Sequence, residues 1–468
     1  MSDTAQLIKE KLDIASVIRP YVTLLPAGKN LKGLCPFHKE KTPSFIVSPD
    51  RGSWHCFGCN LGGDSIAFVM RYENLEFLET LKLLAEKAGV DVRLTSGPDQ
   101  RQFEILYRIN EAAKELFKRE LFANTAAAAG VRSYLNERGL KPETVAAFEL
   151  GFAPNSSDAT SRALLKAGLR MPDIERAGLV FKTERGTYWD RFRNRVMFPL
   201  YNAFGKTVGF TGRVLPHEGP EAAEGPAAST VRSGLAAAKY VNSPETPVFN
   251  KSKLLYGFHK TKNDIREAKA AVLVEGQMDF LMLWQDGVRN AVASSGTSFT
   301  AEHLRALRRL AETIVIAFDR DEAGQAATER VIDLASAADF SVKILHGGTL
   351  AAAGLSDAKD PADIALAKPG FMQELVTNAQ PAMFHYFDRY LLPAARESTI
   401  GISANRIFET KKAVRVILAK IKLLASPVEQ AHWVGELSRR TGIGEQHLFS
   451  EMANMSAAPT GAQSETQT

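Results

Sequence analysis

The thiols of this chain are concentrated in one short stretch, residues 35–59, which holds all three cysteines. Cys35-Pro-Phe-His38 and Cys56-Phe-Gly-Cys59 each have two residues between two possible ligands, so that one tight turn can direct both at a single ion. Four nitrogen and sulfur donors with none to spare predict a closed, structural Zn²⁺ site formed by Cys35, His38, Cys56 and Cys59. A redox Cys56–Cys59 pair and coincidence are the alternatives, and neither explains Cys35 and His38 at the matching spacing.

The residues between the two ligand pairs have the alternation of β-strands. "PSFIVSP" and "GSWHCF" alternate apolar and polar side chains around a Pro-Asp-Arg-Gly turn signal, which predicts a zinc ribbon. By the same alternation His55 points away from Cys56 and is not predicted as a ligand. Interleaved cations and aromatic rings suit single-stranded nucleic acid, although the rings could instead form the small core of the ribbon. These residues are Lys29, Lys32, Phe37, Lys39, Lys41, Phe45, Arg51, Trp54 and Phe57.

A second group of reactive side chains is acidic and follows apolar strand patterns. Glu275 ends "AAVLVEG", while Asp319 and Asp321 lie in "TIVIAFDRDEAG", two apart and therefore on one side of an extended chain. Clustered carboxylates repel one another unless a cation lies between them, and oxygen donors suit Mg²⁺ or Mn²⁺. Gly276 and Gly324 next to these acids allow the backbone to turn sharply or approach closely. The pattern predicts metal-assisted phosphoryl chemistry, with surface or helix-capping acids as the alternative.

Alternating helices and strands are expected to bring these acids together. Four apolar strand patterns between residues 270 and 346 are separated by helical patterns, which predicts a parallel sheet covered by helices on both faces. Ligands bind such sheets at the carboxyl ends of the strands, where the acids fall. Strand patterns also occupy residues 178–214, and residues 376–452 have helical patterns throughout. The predicted fold class is therefore multidomain α/β and α+β.

Two groups of motifs resemble the bacterial DnaG-type primases, which synthesise short RNA primers on single-stranded DNA. "LKGLCPFHKEKTPSFIVSP" followed by "HCFGCNLGGD" resembles the zinc-binding domain of that family. Glu275-Gly276 and the later "DRDEAG" resemble its TOPRIM domain. The chain departs from the TOPRIM pattern at Gln277, where the family often has an aromatic residue, and at Arg320, where it often has glycine.

The resemblance implies further site residues. It adds Asp279 in "EGQMD" and Asp360 in "KDPAD" to the Mg²⁺- or Mn²⁺-binding acids, with Asp363 as an additional candidate. "DRFRNRVMFPL", "GFTGR" and "KYVNSPETPVFNKS" resemble the basic half of the primase core, and residues 185–213 hold six basic residues against one acid. This excess of positive charge indicates that the basic residues contact a nucleic-acid phosphate backbone; the alternative is that they are ordinary exposed strand residues. The residues that the resemblance assigns to template or nucleotide contact are Arg138, Arg191, Arg193, Arg213 and Lys239.

The predicted function is that of a DNA primase, a nucleotidyltransferase with DNA-directed RNA polymerase activity. Glu275, Asp319 and Asp321 are its predicted catalytic residues, Mg²⁺ or Mn²⁺ its catalytic cofactor and one Zn²⁺ its structural cofactor. Single-stranded DNA and ribonucleoside triphosphates are the implied partners. A TOPRIM-containing nuclease or topoisomerase-like enzyme is the alternative, and a non-enzymatic single-strand-binding zinc protein comes third. A topoisomerase would need a separate domain carrying a nucleophilic tyrosine, for which no large region is left.

The chain is too long for one core, and composition shifts divide it. The predicted parts are a zinc-binding domain at 1–95, a linker at 96–103, a basic half of the core at 104–267 with an Ala/Gly/Pro/Glu-rich disordered loop at 215–238, a TOPRIM domain at 268–366, a helical subdomain at 367–452 and a disordered tail at 453–468. The family usually adds a C-terminal domain that docks on the replicative helicase. That domain is not recognisable here, so we expect weak helicase contact.

Composition and charge narrow the class further. The 45% hydrophobic and 24% charged residues are ordinary for a soluble globular protein. Neither a signal peptide nor a membrane-spanning run is recognisable, and three cysteines cannot all pair, which favours a reducing bacterial cytoplasm. A net charge of +5 is too small to indicate nucleic-acid binding by itself. We expect a cytoplasmic, replisome-associated monomer.

Overall fold

The computed structural model describes most of the chain as two compact units. The described residues are 2–38, 40–73, 77–89, 98–215, 238–296, 298–345, 350, 353–355, 357–396, 404–424 and 426–455. One unit comprises residues 1–132 and 148–251, and the other comprises residues 133–147 and 252–468. Within the described ranges, no helix is long and apolar enough to cross a membrane.

The N-terminal part of the first unit is built on a five-stranded antiparallel sheet whose strand order follows the chain. Its elements are α1 (Ser2–Lys11), α2 (Ile14–Ile18), β1 (Leu25–Ala27), β2 (Asn30–Gly33), β3 (Phe45–Ser48), β4 (Ser53–Cys56), β5 (Gly62–Asp64), α3 (Ser65–Glu73) and α4 (Phe77–Lys87). Alternate residues of β3 and β4, among them Phe45 and Trp54, are buried in a core shared with the helices. The predicted hairpin of the ribbon is therefore present.

The rest of the first unit packs helices against a four-stranded antiparallel sheet of order β11-β10-β9-β6. Its elements are α5 (Pro98–Leu121), α6 (Ala126–Glu137), which continues into the second unit, β6 (Gly151–Ala153), α8 (Ala159–Lys166), α9 (Met171–Arg176), β7 (Val180–Lys182), β8 (Tyr188–Asp190), β9 (Arg195–Tyr201), β10 (Thr207–Val214) and β11 (Tyr240–Asn242). Residues 98–103, part of the predicted linker, form the first turns of α5. Pro98 suits a helix start because the first turn needs no N–H from it. Most of the predicted loop, residues 216–237, lies outside the described residues.

The second unit contains the predicted parallel sheet. Strands β12 (Ala270–Val274), β13 (Ala291–Ala293), β14 (Thr313–Ile316) and β15 (Ser341–Ile344) pair in parallel in the order β13-β12-β14-β15. Helix α10 (Phe258–Ala268) precedes β12, the helices between the strands are α11 (Gln277–Gln285), α12 (Ala301–Arg308) and α13 (Glu322–Ala337), and α7 (Pro142–Ala147) belongs to the same unit. The predicted fold class is confirmed. A fifth strand, β16 (Gln380–Pro381), pairs antiparallel with β15 and was not predicted, because two residues carry no periodic signal.

Helices complete the second unit. They are α14 (Pro361–Ala367), α15 (Phe371–Thr377), α16 (Met383–Arg396), α17 (Ala404–Lys422), α18 (Pro427–Thr441) and α19 (Glu445–Asn454). Buried residues of α16, α17 and α18, such as Phe387, Ile417 and Val434, share one core with Ile314 and Ile316 of β14. These helices are thus packed into the same core as the sheet. The tail predicted at 453–468 overlaps the end of α19, and residues 456–468 lie outside the described residues.

A polar cluster fixes the segment between α7 and β6 inside the first unit. Glu149 adopts a left-handed backbone conformation with φ 52°. Its carboxylate accepts hydrogen bonds from Lys114 (2.9 Å), Lys118 (2.8 Å) and the hydroxyl of Tyr201 (2.6 Å). Burial alone would raise the pKa of Glu149, but these three donors hold it at about 2. The ionised carboxylate is therefore part of the folded structure at neutral pH.

Replacing the Glu149 carboxylate with an amide tests how much it contributes to the free energy of unfolding. Because the folded pKa lies below the unfolded value, Glu149 stabilises the fold above about pH 4.5, and the stabilisation is lost as the pH falls towards 2. We expect Glu149→Gln to lower the free energy of unfolding by about 1 kcal/mol at pH 7, with a shrinking difference from wild type below pH 5. Unfolding midpoints measured across this pH range would show it. Glu184→Gln, at an exposed position of the same unit, is the control, and an equal effect of both changes would contradict the assignment.

Candidate functional site

The two strands that precede the predicted catalytic acids are direct neighbours. β12 pairs with β14 over four positions, from Ala270–Thr313 to Leu273–Ile316. Glu275 follows β12 immediately, and Asp319 lies three residues beyond the end of β14. Parallel pairing therefore carries both acids to the same edge of the sheet, as the sequence predicts.

Glu275 carries the electrostatic signature of this edge. Burial and, to a smaller extent, the charges of Asp319 and Asp321 together raise the pKa of Glu275 to about 7, although a backbone hydrogen bond from Asp319 acts in the opposite direction. Its Oε1 is buried and has no hydrogen-bond partner among the described residues. A buried carboxylate oxygen without a partner is costly unless a cation occupies its free side. The Oε1 of Glu275 is thus suited to act as a ligand of a metal ion.

Asp279, on the first turn of α11, lies in a similar field. Burial raises the pKa of Asp279 to about 8, with further contributions from Asp360 and Asp319. Asp360 is the N-cap of α14, where one carboxylate oxygen accepts from the backbone N–H of Asp363 at 2.7 Å. Asp279 is therefore close enough to both Asp319 and Asp360 to interact with each of them.

The segment between β14 and α13 differs from the predicted extended strand. β14 ends at Ile316, so that Asp319 and Asp321 lie in a connection where strand parity does not apply. Asp321 is the N-cap of α13, and one of its oxygens accepts from the backbone N–H of Gly324 at 2.8 Å. The capping alternative thus holds for Asp321, but its second oxygen is open to a ligand because the side chain is exposed. A Cβ at Gly324 would lie 2.2 Å from the carbonyl oxygen of Asp319, so this turn requires glycine.

The predicted zinc ligands lie together in the ribbon. The ligand atoms of Cys35, His38, Cys56 and Cys59 all fall within 4.8 Å of one another. The sulfur atoms of Cys35 and Cys59 are 3.8 Å apart, and Cys56 Sγ is 3.8 Å from His38 Nδ1. A tetrahedral ion with bonds of about 2.3 Å to sulfur has ligand–ligand edges of about 3.8 Å. The tetrad therefore fits a structural zinc ion, and His55 lies outside it.

Two residues around the tetrad carry a role that the sequence analysis missed. The Glu40 carboxylate accepts from the backbone N–H of Cys35 at 2.7 Å and lies 3.2 Å from His38 Nε2, which leaves Nδ1 as the ligand atom. Ser44 donates its hydroxyl to Glu40, lies 3.2 Å from Cys56 Sγ and accepts from the N–H of Gly58 at 3.1 Å. Hydrogen bonds through Glu40 and Ser44 thus connect the two pairs of zinc ligands. A carboxylate two residues after the histidine ligand was the available signal.

The aromatic residues of the ribbon divide between core and surface. Phe45 and Trp54 are buried, and Phe37 packs against them. Phe57, between the last two cysteines, is 74% exposed and contacts the ring of His55 edge-on at 4.7 Å. The core interpretation therefore holds for three of the four rings, and Phe57 alone of the four is available for stacking on a base. Lys39, which was considered with them, lies outside the described residues.

The basic residues that the resemblance assigns occupy different environments. Lys239 is exposed, and Arg138 is partly exposed; no described residue pairs with either side chain. Arg193 lies over the ring of Trp189 at 5.1 Å. Arg191 donates from Nε to the Asn242 carbonyl at 3.1 Å, and burial lowers its pKa.

Arg213 is buried rather than exposed. Arg213 donates to the hydroxyl of Tyr240, its cross-strand partner, at 2.7 Å. Arg195, which was not singled out, is also buried and donates to the carbonyls of Gly212 and Ala238 at 3.2 and 3.0 Å. Burial, together with the charge of Arg193, lowers the pKa of Arg195 to about 10. These two arginines hold β9, β10 and β11 at one end of the sheet, the end that Lys239 adjoins.

The turn that carries Arg138 is attached to α11. Gln285 of α11 donates to the Gly139 carbonyl at 2.8 Å and accepts from the Lys141 N–H at 2.7 Å. Gly139 has φ 80°, and a Cβ there would lie 2.6 Å from Leu366. Arg138 is therefore placed by the second unit, whereas the other four assigned basic residues lie in the first.

Known proteins match this combination of sites over nearly the whole chain. A family model described as CHC2 zinc finger matches residues 1–100, one described as DNA primase catalytic core, N-terminal domain matches residues 116–262, and a Toprim-like model matches residues 272–363. A DNA primase of Geobacillus stearothermophilus is 36% identical over 457 residues, which cover 96% of this chain and 71% of that relative. The chain belongs to the DnaG-type DNA primase family.

Other DNA primases agree with this membership. The DNA primase of Deinococcus radiodurans is 41% identical over 354 residues, which cover 75% of this chain and 56% of the relative. The solved zinc-binding and RNA polymerase domains of the Aquifex aeolicus primase superpose with a TM-score of 0.57 at 27% identity and cover 96% of this chain and 100% of that chain. The predicted function as a DNA primase is confirmed, and the alternative of a nuclease or topoisomerase-like enzyme is not favoured.

The turn at Gly324 offers a direct test of the acidic site. A methyl group there would force Asp319 and the carbonyl behind it to move, and we expect Gly324→Ala to weaken Mn²⁺ binding roughly tenfold, in the range found when metal ligands are misoriented. Mn²⁺ binding is measured from the loss of the free-ion signal in electron paramagnetic resonance. Gly130→Ala, in α6 with open space around the added Cβ, is the matched control. Unchanged Mn²⁺ affinity in Gly324→Ala would contradict the constraint.

The tetrad in this primase offers a second test. Cys59→Ser removes one of four ligands, so we expect the zinc content to fall from about one per chain and the ribbon to lose its fixed packing. Zinc is measured by a chromogenic chelator, and ribbon packing by limited proteolysis between residues 35 and 59. His55→Ala, one residue from Cys56 but outside the tetrad, should retain zinc. Loss of zinc from both variants, or from neither, would contradict the assigned ligands.

Proposed function

We propose that this chain synthesises short RNA primers on single-stranded DNA by metal-assisted nucleotidyl transfer at the acidic edge of the parallel sheet. The observation that carries the proposal is the Oε1 of Glu275, which is buried beside Asp319 and Asp321 without a hydrogen-bond partner among the described residues. A site of oxygen donors only is typical of Mg²⁺ or Mn²⁺, which bind through a few carboxylates together with substrate phosphates. Within this proposal, Glu275, Asp319 and Asp321 are the catalytic ligands, and Asp279 and Asp360 assist them.

Each acid contributes differently to holding the cation. Glu275 is only partly ionised near neutral pH in the metal-free protein, because burial and the neighbouring acids raise its pKa to about 7, and a cation that binds there would displace the remaining proton. Asp321 is held by its cap to Gly324, so its free oxygen keeps one direction. Divalent cations bound here would neutralise triphosphate charge and lower the pKa of the attacking 3′-hydroxyl. No histidine lies in these motifs to act as the base.

We assign the binding of the template and of the nucleotide to the basic residues. Lys239 and Arg193 offer cations at or near the surface of the first unit, and Arg138 does so in the second. A solved DnaG primase catalytic domain bound to single-stranded DNA is 26% identical and superposes with a TM-score of 0.56 over 74% of this chain, which supports the same partner here. We assign Arg213 and Arg191 a supporting role within the first unit, since their guanidinium groups contact Tyr240 and Asn242 of β11.

The zinc ribbon is assigned to recognition and not to the transfer step. Cys35, His38, Cys56 and Cys59 would hold a structural zinc, and a closed set of four protein ligands leaves no position for substrate. Exposed Phe57 is the ribbon's candidate for stacking on an unpaired template base. We propose a zinc-binding domain at 1–95, a basic part of the core at 104–267 and a TOPRIM domain at 268–366, a division that the matched ranges 1–100, 116–262 and 272–363 support.

Primer synthesis by purified protein tests this proposal. With single-stranded DNA, ribonucleoside triphosphates and Mg²⁺ or Mn²⁺, wild type should make short RNA, and Asp319→Asn should lose at least roughly a hundredfold of that activity. Asp264→Asn, a change of the same chemistry on α10, is the control and should remain active. Absence of RNA from wild type, or full activity in Asp319→Asn, would refute the proposal. Cleavage of the single-stranded DNA, or relaxation of a supercoiled plasmid used in its place, would support the nuclease or topoisomerase-like alternative.

A further inference from the structure

Arg320 stands between Asp319 and Asp321, at the position where the sequence departs from the TOPRIM pattern. Its backbone N–H donates to the carbonyl of Lys359 at 3.0 Å, and its Nη1 donates to the carbonyl of Ala358 at 3.3 Å. Both acceptors lie one or two residues before Asp360. Arg320 therefore joins the segment that carries the central acids to the segment that carries Asp360, by one main-chain and one side-chain hydrogen bond.

The carbonyl of Arg320 continues this connection in the other direction. Gln325, on the first turn of α13, donates from Nε2 to that carbonyl at 3.3 Å. The Oε1 of Gln325 accepts from Nη1 of Arg389 on α16 at 2.6 Å. Arg389 also lies 3.1 Å from Glu329 through Nε, so one guanidinium contacts two successive turns of α13. Three residues thus form an unbroken path from the acid segments to a C-terminal helix.

The same face of α13 is held along three turns. Gln325, Glu329 and Asp333 follow one another at intervals of four residues and therefore lie on one side of the helix. Tyr390 donates to Glu329 at 3.0 Å, and Lys420 of α17 donates to Asp333 at 2.6 Å. Because Asp321 is the N-cap of α13, any shift of this helix relative to α16 and α17 moves a metal-binding acid.

We propose that Arg320, Gln325 and Arg389 are positioning residues that set the spacing between the Asp319–Asp321 segment and Asp360, and hence the affinity for the divalent cation. The inference rests on the proposed function, because it takes these acids as metal ligands. Like charges in this cluster push the two segments apart, and hydrogen bonds from a guanidinium to backbone carbonyls oppose that movement. Glycine at position 320 would keep the main-chain bond to Lys359 and lose the bond to Ala358.

Metal binding and catalysis are measured separately to test the proposal. Arg320→Gly, Gln325→Ala and Arg389→Ala should each bind Mn²⁺ roughly tenfold more weakly, the size seen when groups that orient metal ligands are removed. Mn²⁺ affinity is measured by electron paramagnetic resonance, and primer synthesis is titrated with Mn²⁺ in parallel. At saturating Mn²⁺ the rate should return to near the wild-type value, since none of the three residues touches the reacting atoms. Arg389→Lys keeps the charge but not both contacts, and should recover only part of the affinity.

Controls separate this inference from general stability and from the proposed function. Arg305→Ala, on α12 and paired with Glu302, removes an arginine elsewhere in the same unit and should bind Mn²⁺ as wild type does. Variants that lower the thermal midpoint but bind Mn²⁺ normally at 10 °C would overturn the positioning role, and so would a raised KM for nucleotide at unchanged Mn²⁺ affinity. Asp319→Asn distinguishes a failure of the positioning role from a failure of the proposed function. If it too binds Mn²⁺ normally, the proposed function fails; if it alone loses Mn²⁺, only the positioning role fails.

Discussion

Repulsion between carboxylates at the edge of the parallel sheet is the constraint on which this catalytic unit depends. Glu275 and Asp279 have pKa values of about 7 and 8, because burial and neighbouring acids both oppose their charge. A fold that gathers such groups is destabilised unless protons or cations neutralise them. In the absence of metal both groups are partly protonated near neutral pH, so cation binding at these acids would be linked to proton release. The carboxylate cluster therefore favours the binding of a divalent cation, and without one it destabilises the fold.

The backbone holds the acidic side chains close together, although their negative charges repel one another. Pairing of β12 with β14 brings Glu275 beside Asp319, and the absence of a side chain at Gly324 lets the turn before α13 fold over the Asp319 carbonyl. The caps at Asp321 and Asp360 commit one carboxylate oxygen each to a helix N-terminus, where the helix dipole favours negative charge. The acids thus have fixed directions before any ion arrives, which reduces the ordering that binding requires.

Sequence reasoning recovers the features that periodicity and the rules of parallel sheets determine. It places the four strands, the two pairs of zinc ligands and the acids at the strand ends, because each leaves a local pattern. It does not recover β16, whose two residues leave none, or the tie between Arg320 and Ala358, which joins residues 38 positions apart. It also treats Arg213 as a surface contact, although cross-strand pairing with Tyr240 buries it. Contacts made only after packing are invisible to a pattern that runs along the chain.

The zinc tetrad and the proposed divalent-cation site differ in how much of the fold each requires. The four zinc ligands come from residues 35–59 and need only two turns and a hairpin, supported by Glu40 and Ser44 from the same stretch. The acids come from residues 275–360 and meet only when the parallel sheet and α13 are packed. Their donors also differ, since sulfur and nitrogen select zinc while oxygen selects Mg²⁺ or Mn²⁺. A disturbance of α13 or α16 therefore reaches the acids through Gln325 and leaves the zinc ligands, which belong to the other unit, in place.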